Sequence, residues 1–154
     1  MANFLMVALM LSLAVFYSAD QSTLSGVTTQ SRSTAQAAAM ASYRTLVVDY
    51  YSAHPDKTTF APPSPSSPLL VAAGDWGNYH AAGSPTVIVY AKSAQAPELL
   101  PAVLALSQNS WMVGTSEGGY FKSALSSVAS NMPLPLPAIA SGNPVWISSI
   151  NASY

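Results

Sequence analysis

The first nineteen residues, MANFLMVALMLSLAVFYSA, are apolar almost throughout; Asn3 and Ser12 are the clearly polar members, and the first charge is Asp20. Phe4, Leu5, Val7, Leu9, Leu11, Leu13, Val15 and Phe16 carry the run. As a helix rising 1.5 Å per residue it is about 28 Å long, close to the ~30 Å hydrocarbon core of a bilayer. The pattern predicts a membrane anchor over residues 1–19, with Phe16 and Tyr17 at an interfacial aromatic level. A cleaved signal peptide is a second reading. It is disfavoured because no Lys or Arg precedes the run and a cut after Ala19 places Tyr17 where a small residue is needed. A cut after Ala14 has the better pattern, Ser12-Leu13-Ala14, but falls inside the apolar run. A buried soluble helix is the third reading.

Residues 20–53 read as a stalk and a helix. Asp20 to Arg32 is polar nearly all round, with Gly26 in its middle. Glycine costs ~1 kcal/mol in a helix relative to alanine, so this stretch either extends the membrane helix or bends at Gly26. From Ser33 the pattern firms. Ala39, Met40, Tyr43, Leu46, Val47 and Tyr50 recur at three- and four-residue steps and share one face. A helix is predicted from Ser33 to Ala53, closed by Pro55, which biases His54 out of the α region. Its apolar stripe is read as the face that packs on a sheet; a seam for a partner helix is the alternative.

Residues 54–154 read as a small α+β head. His54 to Pro68 is a proline-rich loop, with Pro62-Pro63 and Pro65 a stiff connector. Ser67-Pro68 looks like an N-cap with proline at the first helical position, opening a short helix LLVAA. Gly74 to Pro85 reads as a turn region bearing Trp76 and Tyr79. Thr86 to Ala91, TVIVYA, is the clearest strand. Pro97-Glu98 starts a helix through Gln108. Trp111 to Thr115 and Gly119 to Ser123 read as strands around a Ser116-Glu117-Gly118 turn, and Val145 to Ile150 as a last strand. Four strands, mainly antiparallel, with helices on one face make an α+β domain.

Charge and composition narrow the chemistry. Charged residues are 7% of the 154-residue chain, against roughly 25% in ordinary soluble proteins, and the net charge is -1. There is no basic face for nucleic acid. With no cysteine, disulfides, thiolate zinc sites and cysteine nucleophiles are excluded. Gly114-Thr115-Ser116-Glu117-Gly118 matches the G-x-S-x-G nucleophile elbow, but no helix follows it and both histidines, His54 and His80, precede it, so a hairpin turn is the better reading. The histidines lack zinc spacing, and Asp49, Asp56, Asp75, Glu98 and Glu117 are too sparse to argue a carboxylate pair. Asn151-Ala152-Ser153 reads as a chance sequon. No catalytic, cofactor-binding or metal residue is assigned, and no small-molecule substrate. Trp76, Trp111 and Trp146 read as core residues, some of them open to a partner surface because low charge makes desolvation easy.

An N-terminal span leading into a long helix and a neutral α+β head invites comparison with type IV pilins. The chain departs from them: it has no leader with a prepilin cleavage site, Leu5 stands where pilins place a glutamate, and the cysteine pair common in type IVb heads is missing. A closer resemblance is to the PilM family of type IVb thin-pilus systems on conjugative plasmids. It rests on the apolar N-terminus, the helix ending near Tyr50-Tyr51, TVIVYA, Met112-Val113-Gly114 with Gly118-Gly119, and the closing Leu136-Pro137, Gly142 and Val145. That resemblance implies a non-enzymatic inner-membrane component of the pilus basal body or pilin transport apparatus, acting through membrane lipid and other pilus assembly proteins or pilins, with homo-oligomer formation left open. A minor pilin-like subunit within the filament is the alternative. Arg32 and Arg44 follow the anchor, which under the positive-inside rule favours a cytoplasmic body. The Ser/Thr/Pro/Ala-rich, low-charge body and the resemblance favour a single-pass topology with the C-terminal domain in the periplasm.

Overall fold

The structure, a computed structural model, describes residues 2–60, 75–93, 98–125, 132–134 and 139–150, with side chains from residue 28 onward. The chain divides into two compact units, residues 1–32 and 33–154. Helix α1 spans Ala2–Ala53. It stops where expected: the His54 N–H still reaches the Tyr50 carbonyl at 2.9 Å, and Pro55 has no N–H with which to continue. Among the described residues no helix is long and apolar enough to cross a membrane. The side chains of the apolar run 1–19 and Gly26 lie outside the described ones, as do the connector at Pro62 to Pro65, the LLVAA segment and Asn151.

The second unit is built on a six-stranded sheet in the order β1-β2-β6-β3-β4-β5. Its strands are β1 Trp76–His80, β2 Thr86–Ala91, β3 Val113–Glu117, β4 Tyr120–Ser123, β5 Met132–Pro133 and β6 Pro144–Ser149. Every neighbouring pair is antiparallel. β6 therefore joins two hairpins, β1-β2 and β3-β4, that do not touch each other as strands. Helix α2, Leu99–Leu106, lies between β2 and β3 in the chain.

Strand alternation sends successive side chains to opposite faces, and both faces are covered. Val89, Trp146 and Val113 form one cross-strand row. With Trp76, Val87 and Ala91 they pack against Met40, Tyr43, Val47 and Tyr51 of α1 and Leu99 and Val103 of α2. On the other face Ile88, Val145, Ile147 and Phe121 pack with Leu134 and Ile139. β6, covered on both sides, is buried from Pro144 to Ser148, which is why its sequence lacks polar alternation.

Several features differ from the sequence reading. The sheet has six strands rather than four. Residues 76–80, read as a turn, form β1. Gly77 and Asn78 are poor strand formers, but Trp76 and His80 are buried and the Tyr90 ring lies over Gly77, so packing overrides propensity. The hairpin turn is Gly118-Gly119 rather than Ser116-Glu117-Gly118, with φ of +59° and +86°. A two-residue type I′ turn needs positive φ at both centres, and the glycine pair is where that is free of strain. Met132–Pro133 adds an edge strand within a proline-rich segment; proline is tolerated there because an edge residue need not donate to the sheet. α2 also ends at Leu106 instead of Gln108, because Gln108 and Asn109 turn left-handed.

Candidate contact surface

The helix–sheet interface is assembled first. Met40 and Val47 are fully buried, Tyr43 and Ala39 nearly so, whereas Leu46 and Tyr50 are half-buried. Ala37 and Tyr51 are also fully buried. The stripe is thus centred slightly to one side of the residues picked by spacing, and Tyr51, four residues after Val47, carried the signal that finds it.

A polar link crosses this interface. Tyr51 donates its hydroxyl to Asn78 Oδ1 at 3.1 Å, and Asn78 Nδ2 donates to the Tyr43 hydroxyl at 2.7 Å. One amide thus ties two turns of α1 to β1, satisfying polar groups that burial would otherwise leave unpaired. Burial pushes both phenols above their ordinary pKa; the Asn78 hydrogen bond on Tyr43 only partly offsets it. The buried His80 ring has Nδ1 3.1 Å from the Thr86 carbonyl oxygen and Nε2 3.2 Å from that of Pro55, linking the end of α1 to the β1-β2 hairpin. His54 is exposed and stacks on Tyr50 at 4.7 Å.

Arg44 sits in the same interface. Its Nε–H donates to the Ser148 hydroxyl, and its guanidinium carbon lies 4.7 Å over the Trp146 ring. Desolvation lowers its pKa. A search for apolar spacing passes over this charged residue although it lies within the buried stripe.

The serine of G-x-S-x-G is held as a structural residue. Ser116 lies in β3 and is 1% exposed; its hydroxyl donates to the Ile139 carbonyl at 3.1 Å. The next element is β4, not a helix. Ser116 faces Phe121 across the hairpin and Thr115 faces Lys122, so the Ser116 and Lys122 side chains leave opposite sides of the sheet. Lys122 instead pairs with Glu117 at 2.7 Å. Among the described residues no group of three or more His, Asp or Glu side chains is placed to hold a metal ion.

What remains open is apolar. Trp76 and Trp146 are buried, but Trp111 is 68% exposed, and Leu106, at the end of α2, is also exposed. The loop between α2 and β3 is pinned rather than slack. Ser107 Oγ donates to the Leu104 carbonyl at 2.9 Å, and the Asn109 N–H reaches the same oxygen at 2.8 Å. The Ser110 N–H donates to Ser107 Oγ and the Met112 N–H to Ser110 Oγ. Gln108 and Asn109 have φ of 55° and 57°, a region that side chains other than glycine enter at a cost. No charged residue occurs between Glu98 and Glu117. A loop that holds an exposed tryptophan in a strained, hydrogen-bonded, uncharged frame has the chemistry of a protein-contact anchor.

The sequence profile of the PilM family matches residues 6–147. The chain belongs to the PilM family. No curated protein matches it. The crystal structure of PilM from Escherichia coli B7A is similar, with 20% identity and a TM-score of 0.51 over 77% of this chain and 93% of that one; at this identity the likeness speaks for the fold. As a PilM protein the chain is a pilus-related component. Of the residues read from sequence, the anchor set Phe4 to Phe16 lies outside the described side chains, and the packing set Ala39 to Tyr50 lies on α1. The Trp111 loop of this PilM chain had no sequence signal beyond its lack of charge.

Proposed function

We propose that this PilM protein is a non-enzymatic, single-span inner-membrane component of a type IVb conjugative pilus biogenesis machine, with its C-terminal domain in the periplasm. It docks other pilus assembly proteins or pilins through the surface around Trp111. The observation that supports this reading is the exposed indole on a pinned, uncharged loop. Tryptophan supplies large contact area at low entropic cost and is enriched among residues that dominate binding energy. The anchor rests on the uncharged run of residues 1–19.

Two measurements test it. A photo-crosslinker at position 111 in cells making the pilus is expected to capture pilus assembly proteins or pilins; crosslinks to none of them reject the docking surface. Carbonate extraction is expected to leave the full-length protein in the membrane pellet; release as soluble protein rejects the anchor. A second reading, a minor pilin-like subunit, is favoured by a long helix leading into an antiparallel sheet. Recovery of the protein in sheared, purified filaments decides for that alternative.

A further inference from the structure

We propose that Arg44, with Trp146 and Ser148, is the receptor for a single carboxylate presented by an acidic side chain of a protein partner. The inference rests on the protein-contact reading above and deepens it by naming the group that is recognised. Charge accounting leads to it. The acidic residues of the second unit are Asp49, Asp56, Asp75, Glu98 and Glu117, and all are exposed. Asp56 pairs with Lys57 and Glu117 with Lys122. None of the five comes within ion-pair distance of Arg44. Segments 61–74, 94–97, 126–131, 135–138 and 151–154 contain no Asp or Glu, so no acidic side chain of this unit is left to neutralise it.

Arg44 is nonetheless fixed in place. One of its five N–H donors, Nε–H, is taken by Ser148, and the guanidinium carbon lies 4.7 Å over the Trp146 ring. Ser148 is 3% exposed; it accepts from Arg44, and its own proton has no acceptor among the described residues. The two terminal NH2 groups have no protein partner among the described residues, and Arg44 as a whole is half-buried. A guanidinium stripped of part of its hydration and held at Nε, with both terminal NH2 groups unpaired among the described residues, is preorganised for a bidentate anion. The Trp146 indole on one side of the guanidinium strengthens the site by excluding water there.

The chemistry favours a carboxylate over a phosphate. The site holds one cation. Lys57 and Lys122 are already paired, and Arg32 and Lys92 are exposed. A monoanion balances one guanidinium, whereas a phosphate dianion leaves a charge uncompensated in a half-buried place. The site also adjoins the Trp111 loop: the Ile147 N–H bonds the Met112 carbonyl at 2.9 Å, and Trp146 faces Val113 across the strands. A partner segment with an acidic residue beside an apolar one meets both.

The test uses the full chain in detergent micelles with its arginines labelled with nitrogen-15. The chain has two arginines, Arg32 and Arg44, so the exposed Arg32 is an internal reference. The probes are a capped leucine-flanked glutamate peptide, its glutamine counterpart and inorganic phosphate, all at one ionic strength. The expected result is saturable movement of the Arg44 Nε–H signal with the glutamate peptide, binding about tenfold weaker for the glutamine peptide, and Arg32 unmoved. Arg44→Lys, checked by its amide fingerprint, is expected to weaken binding about tenfold because it keeps charge and loses the fork. Equal response to both peptides, no response, equal movement of Arg32, or tighter binding of phosphate overturns the proposal. Each of those results leaves the crosslinks from position 111 intact, so failure here is distinct from failure of the docking surface.

Discussion

Gly77 and Gly114 leave no room for a side chain, but against different neighbours. A Cβ on Gly114 would lie 1.9 Å from the Lys122 carbonyl oxygen, which is backbone; on Gly77 it would lie 2.3 Å from Cζ of Tyr90, which is a ring end. Backbone across a paired strand cannot yield without breaking the pairing, whereas a half-buried ring can swing. Gly114→Ala is therefore expected to lose about 3 kcal/mol or more and Gly77→Ala about 1 kcal/mol, read from urea unfolding midpoints. In the sequence Gly114 belongs to a motif string, and nothing local names the atom it makes room for. The tyrosines of the Asn78 link give a pH test. Burial raises both phenols, so their neutral forms are favoured in the folded state. The resulting stability is fully present below the ordinary phenol value of about 10 and is lost as pH rises through the higher folded values. Urea midpoints are expected to fall as pH rises above about 10, and to fall less in the Tyr43→Phe, Tyr51→Phe double variant.

Elements built from residues suited to them were legible, and elements imposed by their neighbours were not. β2 is a β-branched run, and it spans the residues read from sequence. The end of α1 follows from Pro55, and the core of α2 from its leucines. β1 contains Gly77 and Asn78, and β5 contains Pro133; their extended form depends on partners elsewhere in the chain. The β3-β4 hairpin was recognised with its turn displaced, because Ser116-Glu117-Gly118 and Gly118-Gly119 overlap and only backbone sign at both centres separates them. The Gly118-Gly119 turn makes its own prediction. Asn at the first centre suits a type I′ turn, so Gly118→Asn is expected to be within about 0.5 kcal/mol of the parent. Gly119→Val, a branched residue at positive φ, is expected to cost about 1–3 kcal/mol, measured by thermal and urea unfolding.

At the scale of the molecule, the tryptophans separate cleanly into buried and exposed. Trp76 is 1% exposed and Trp111 68%. Trp76→Ala is expected to cost about 3–5 kcal/mol. Trp111→Ala is expected to stay within about 0.5 kcal/mol in unfolding assays while lowering pilus assembly in cells. The candidate site was legible only in outline. The absence of charge hinted at contact surface, but Arg44 was hidden within an apolar stripe, and which tryptophan faces outward is decided by the loop that follows α2. The placing of β6 between β2 and β3 has a consequence in time as well as space. The two hairpins can each close early, yet they stay unjoined until residues 144–149 have emerged from the ribosome. A nascent chain halted before Pro144 presents two raw sheet edges, which pairing with β6 seals.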